Sequence, residues 1–109
     1  MRNVEDPNKI HKDDRFKLKA LTYNNLGCYY KRINKLNVSL RYMTQALSVE
    51  TKSKQPKSHI ASTKLNICAI LSSLDKHKEA IKYAVSAVAD LIVIVKLIRI
   101  SQISDLDKK

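Results

Sequence analysis

Residues 22–47 (TYNNLGCYYKRINKLNVSLRYMTQAL) and 63–88 (TKLNICAILSSLDKHKEAIKYAVSAV) align without a gap at an offset of 41 residues. Thr22/Thr63, Asn25/Asn66, Lys35/Lys76, Tyr42/Tyr83 and Ala46/Ala87 are identical. Residue class agrees further, at Leu26/Ile67, Ile33/Leu74, Asn34/Asp75, Ser39/Ala80, Leu40/Ile81, Arg41/Lys82 and Leu47/Val88. Repetition at a period of about 20–50 residues is the mark of a solenoid, in which one supersecondary unit buries its apolar face against the next. Such architectures work by presenting an extended binding surface, so the repeat directs attention to recognition before chemistry.

Apolar residues recur at helical spacing in four stretches. The first carries Phe16, Ala20, Tyr23, Leu26/Gly27, Tyr30 and Ile33, and the second Leu36, Leu40, Met43 and Ala46/Leu47. The third carries Ile60, Thr63, Ile67, Leu71 and Leu74, and the fourth Ala80/Ile81, Ala84/Val85, Ala87/Val88 and Leu91/Ile92. Four helices in two hairpins follow. Asn34 and Asp75 fall at equivalent points between paired helices, where a tight turn calls for a residue that tolerates positive φ. The polar stretch 51–58 (TKSKQPKS) separates the hairpins. Pro56 stops a helix from running through it, and Ser58 is read as the N-cap of the third helix. The expected organisation is a fraying segment at 1–15, a hairpin at 16–50, a loop at 51–58, a second hairpin with an extended last helix at 59–100, and a polar tail at 101–109.

Composition narrows the class. The chain of 109 residues has 44% hydrophobic content, one glycine and two prolines, which suits one packed helical domain and argues against Gly/Pro-punctuated β structure. The first residues lack the apolar core of a secretory signal, and residues 88–100 are too short and too interrupted by Asp90, Lys96 and Arg99 to span a bilayer. Two cysteines without metal-ligand spacing suit a reducing compartment, so a cytoplasmic location is expected. The formal charge of +11 is concentrated in residues 1–57, which hold 13 basic and 5 acidic groups. Such an excess either steers the chain toward a polyanion or is simply solvated surface.

These residues together resemble the tetratricopeptide repeat, a helix–turn–helix unit of about 34 residues with the spacing W-x2-L-G-x2-Y, then A-x3-F-x2-A. The first copy reads Tyr23-x2-Leu26-Gly27-x2-Tyr30, then Ser39-x3-Met43-x2-Ala46; the second reads Lys64-x2-Ile67-Cys68-x2-Leu71, then Ala80-x3-Ala84-x2-Ala87. Tyr23 and Lys64 stand in the tryptophan position, Thr51 and Ile92 stand where the closing proline would be, and the longer period is similar to repeats of the kinesin light chain type. The resemblance implies an all-α, tetratricopeptide-like superhelix of two repeats plus an extended C-terminal helix. Small residues at Gly27, Cys68, Ser39, Ala80, Ala46 and Ala87 would let paired helices approach closely.

The resemblance also implies a function: a non-enzymatic scaffold or adaptor that holds a peptide or partner helix along the first helix of each repeat. The corresponding positions are Leu21, Asn24, Asn25, Cys28, Lys31 and Arg32, then Ser62, Leu65, Asn66, Ala69, Ser72 and Ser73. The expected peptide-binding residues are Asn24, Asn25, Lys31, Arg32 and Asn66. An asparagine amide both donates to and accepts from a peptide backbone, so Asn25 and Asn66 either grip an extended ligand or bond a neighbouring helix or water. Lys31 and Arg32 either select acidic peptides or complement a helix C-terminus.

No catalytic constellation, metal set or cofactor motif is expected, because the histidines are scattered and the single glycine, Gly27, belongs to a helix. Cys28 and Cys68 are read as buried, inert thiols. The apolar residues at 88–100 permit a helix or a strand. They lack the polar outer face of a terminal repeat helix, so self-association or docking of further repeats is expected there. The alternative function is a basic helical module for RNA or an anionic surface, which salt would weaken steeply.

Overall fold

The computed structural model describes the backbone of residues 7–107 and the side chains of residues 14–106. Four helices follow one another: α1 (Pro7–Arg32), α2 (Leu36–Lys52), α3 (Lys57–Ser73) and α4 (His77–Asp107). The described residues contain no strand, so the protein is all-α. Two compact units divide the chain after Gln55, one pairing α1 with α2 and the other pairing α3 with α4.

Small residues set the distance between α1 and α2. Ala20, Gly27, Ser39 and Ala46 are buried along that contact with Met43. At Gly27 a β-carbon would lie 2.8 Å from Met43 Cγ and 2.9 Å from its Cε, so glycine alone fits without displacing a side chain that is 0% exposed. The Ser39 hydroxyl donates to the Gly27 carbonyl at 2.6 Å, a buried bond that links the two backbones directly. Beside it Tyr42 of α2 stacks on Tyr30 of α1, with ring centroids 5.5 Å apart and planes within 8°. Tyr23 lies 6.1 Å from Tyr42 and Tyr29 meets Tyr30 edge-on at 5.2 Å. Aromatic pairs of this kind add about 0.5–1.5 kcal/mol beyond the area they bury.

In the second unit Ala61, Ile67, Ile70 and Leu71 of α3 are buried, and Ala80 and Ala87 are the buried residues of α4. The place of Tyr23 is taken by Lys64, whose ammonium donates to Asp90 Oδ2 at 2.6 Å; the two side chains are only 17% and 13% exposed. Lys57, the first residue of α3, approaches the other Asp90 oxygen at 3.8 Å. A lysine is thus accommodated at an aromatic position, because its stem packs while its charge meets a carboxylate on the facing helix.

The turns are alike. Asn34 and Asp75 both have φ of 61°, as their residue types led us to expect. The Lys35 amide donates to the Tyr30 carbonyl at 2.8 Å and the Asn34 amide to Lys31 at 3.1 Å; Lys76 to Leu71 at 2.9 Å and Asp75 to Ser72 at 3.0 Å repeat the pattern. These are Schellman closures, which satisfy the last carbonyls of a helix through one left-handed residue. A third closes α2, with Gln55 donating to Glu50 at 2.9 Å and Lys54 at φ 54°.

Several expectations need correction. The connection between hairpins is residues 53–56, shorter than 51–58, since the Lys54 closure lets α2 run to Lys52. Ser58 is not the N-cap: Pro56 holds that place without a side-chain bond and α3 starts at Lys57. Residues 90–100 are helical, and α4 continues through Asp107 where a polar tail was expected. The helix α1 takes in residues 7–15, while residues 1–6 and 108–109 lie outside the described residues. Cys28 is exposed and Cys68 half-buried, because position 28 falls on the side of α1 away from Gly27 and α2. Among the described residues no helix is long and apolar enough to cross a membrane.

Candidate functional site

Packing fixes which side of α1 is left to solvent. With Ala20, Tyr23, Gly27 and Tyr30 turned toward α2, the opposite side carries Leu21, Asn25, Cys28 and Arg32, spaced by four, three and four residues and all exposed. Residues so spaced form one stripe along a helix. Leu18 at 63% and Tyr29 at 53% exposure flank it, so the Asn25 amide lies among accessible apolar side chains. The far side of the stripe is held against α2 by the Gly27–Met43 contact and the Ser39 bond.

The expected site residues fall into three environments. Asn25 and Arg32 share the stripe, seven residues apart, and Lys31 is exposed in the last turn of α1 with Arg32. Asn24 is half-buried at the edge of the helix contact, and its Nδ2 donates to the Ala20 carbonyl at 3.3 Å, a local role within α1. Asn66 belongs to α3 in the other unit and is half-buried, whereas its counterpart Asn25 is exposed. The same asymmetry separates Thr63 and Ile70, both buried, from Thr22 and Tyr29, both exposed. On α3 the exposed stripe is Ser62, Leu65, Ala69 and Ser72.

Leu18 and Tyr29 were missed as members of the α1 surface. Their place becomes clear once the helix is turned so that Gly27 and Ala20 face inward, a signal present in the small residues themselves. The described residues hold no cluster of three or more His, Cys, Asp or Glu suited to a metal ion. An open depression of about 440 Å³ at the α3–α4 corner is lined by Asp75, Lys76, His77, Lys78 and Glu79. These are consecutive exposed residues and offer a small ligand no enclosure. No protein-family model, no curated protein and no solved structure matches this chain.

Proposed function

We propose that this chain is a protein-interaction module whose two hairpins are tetratricopeptide-like repeats, and that it captures an extended peptide or a partner helix along the exposed stripe of α1. The observation that carries the reading is the exposed Asn25 amide, set between Leu18, Leu21 and Tyr29 on a helix locked from behind. Accessible apolar side chains supply area, and the amide supplies a donor and an acceptor for a ligand backbone. Lys31 and Arg32 favour a ligand with carboxylates near the C-terminal end of α1. Asn66, the counterpart of Asn25, is half-buried, so the second hairpin would contribute through its own exposed stripe, Ser62, Leu65, Ala69 and Ser72, with Asn66 at its edge.

The test uses peptides selected from a random display library on the wild-type chain. Asn25→Ala removes up to two hydrogen bonds worth about 0.5–1.5 kcal/mol each, so affinity falls about tenfold while helicity by circular dichroism is unchanged. Unchanged affinity removes Asn25 from the site. A second reading, RNA or another anionic surface, is favoured by one observation: Lys31, Arg32 and Lys35 are all exposed around the α1–α2 turn. Three phosphate contacts would give a log–log salt slope of about −2 on single-stranded RNA. Peptide capture through a neutral amide has a much shallower one.

A further inference from the structure

We propose that the outer face of α4 joins a second copy of this chain, antiparallel, along a seam between residues 81 and 106. This surface is separate from the α1 stripe, and the inference stands whether or not α1 binds peptides.

The seam follows from how α4 packs. Its small residues face α3: Ala80 and Ala87 are buried and Ala84 half-buried. Their large neighbours face away, with Ile81 at 60%, Val85 at 63% and Val88 at 51% exposure. From Ile81 the steps alternate four and three residues through Val85, Val88, Ile92 and Val95, then Arg99, Gln102 and Leu106. Ile92 is 48%, Val95 58% and Leu106 67% exposed. Alternating steps of four and three keep one apolar row aligned with a partner helix over many turns.

Length narrows the occupant. At about 1.5 Å per residue the seam is about 38 Å long, whereas a helix of 17 residues, the length of α2 and of α3, reaches only about 26 Å. Asp90 meets Lys57 at the very start of α3, so residues 91–107 run on past it. Another copy of α4, 31 residues long, covers the whole row. α1 of a second copy is long enough, but its residues 15–32 expose Lys17, Lys19, Lys31 and Arg32 with no carboxylate among them and would oppose Lys82, Lys96 and Arg99 of α4, whereas α4 itself also carries the exposed carboxylates Glu79 and Asp105. Juxtaposed like charges reject such a partner.

Direction follows from Arg99. Parallel, in-register pairing would set Arg99 against Arg99 of the second copy inside the seam. The antiparallel arrangement that places Ile92 across from Val95 sets Arg99 over Val88 and both Ile81 residues over Leu106, so each cation meets an aliphatic side chain and its head reaches water. An aliphatic side chain presents on the order of 100 Å² when fully exposed. Six seam residues about half exposed, with Leu91 and Ile98 at its edges and the stems of Lys82, Lys96 and Arg99, then bury roughly 1,000–1,400 Å² in total, enough for a specific interface.

The experiment is sedimentation equilibrium of the full chain at physiological salt, up to about 200 µM. The expected mass is twice 12.5 kDa. Ile92→Glu weakens association at least about fiftyfold. Ile100→Glu, at 63% exposure on the same helix but off the seam, leaves the dimer intact. In a Cys28→Ser/Cys68→Ser background, Ile81→Cys with Leu106→Cys forms an interchain disulfide and Ile81→Cys alone does not. The proposal is overturned by a wild-type monomer throughout, including one that binds anionic vesicles instead. It is also overturned by open-ended growth of mass, by equal loss of association in Ile100→Glu, or by Ile81→Cys cross-linking to itself.

Discussion

Replacing Gly27 with alanine sets two effects of opposite sign against each other. In a helix interior alanine is about 1 kcal/mol better than glycine, so backbone propensity alone predicts stabilisation. The added methyl, however, would stand 2.8 Å from Met43 Cγ, 2.9 Å from its Cε and 3.0 Å from its Sδ, and Met43 is fully buried. The clash involves Cγ, Sδ and Cε together, so relief requires the whole Met43 side chain to swing about its first torsion, and it is fully buried. Overpacking of this kind costs about 1–3 kcal/mol. Parting the helices instead stretches the 2.6 Å Ser39–Gly27 bond, worth about 0.5–1.5 kcal/mol. The net expectation is destabilisation by about 1–2 kcal/mol. In a Met43→Ala background, itself costing about 2–5 kcal/mol, the clash is gone and the same substitution should stabilise by up to about 1 kcal/mol. Urea unfolding followed by tyrosine fluorescence reads this well, because Tyr23, Tyr29, Tyr30 and Tyr42 of the five tyrosines belong to the first hairpin. A higher urea midpoint for Gly27→Ala in the otherwise wild-type chain would refute the close-approach argument. So would the same sign of effect in both backgrounds.

Two further substitutions probe the turns and the second hairpin. Lys54 holds a left-handed conformation that costs a side chain about 1 kcal/mol, so Lys54→Gly should raise stability by about 0.5–1 kcal/mol, measured as a higher thermal midpoint. Lys64→Met leaves Asp90 with only the more distant Lys57, and should destabilise by about 1–3 kcal/mol. Adding Asp90→Leu should bring stability back to within about 1 kcal/mol of wild type, since an apolar pair of similar volume replaces a half-desolvated ionic one. If the double variant is no more stable than Lys64→Met alone, the ion pair is not what holds Lys64 in place.

Much of the fold could be read from residues before any coordinates. The two positive-φ corners were legible because Asn34 and Asp75 stand at matched points of the repeat and tolerate that conformation. The third corner was not, because lysine carries no such signal and Lys54 is held there by the closure around it. The inward row of Gly27, Ser39, Ala46, Ala80 and Ala87 was legible as small residues at helical spacing. In α4 the periodicity alone named pairs such as Ala87/Val88 without deciding between them; the repeat pattern singled out the alanine, and it is the buried member. The partner of Lys64 was invisible because Asp90 is 26 residues away, on another helix, with nothing local linking them. At the α1 surface Asn25 and Arg32 lie on the exposed stripe, while Asn24 bonds its own helix and Asn66 is half-buried. Equal position in a repeat does not guarantee equal exposure, since exposure depends on everything around a residue and not on its own helix alone.

The twin closures at Asn34 and Asp75 give both bends the same local frame: hydrogen bonds among a handful of adjacent amides and one φ near 61°. Such joints are interchangeable parts. Exchanging residues 31–35 for 72–76 should leave both hairpins able to close, and an engineer lengthening this protein could splice at these bends without redesigning the helices on either side.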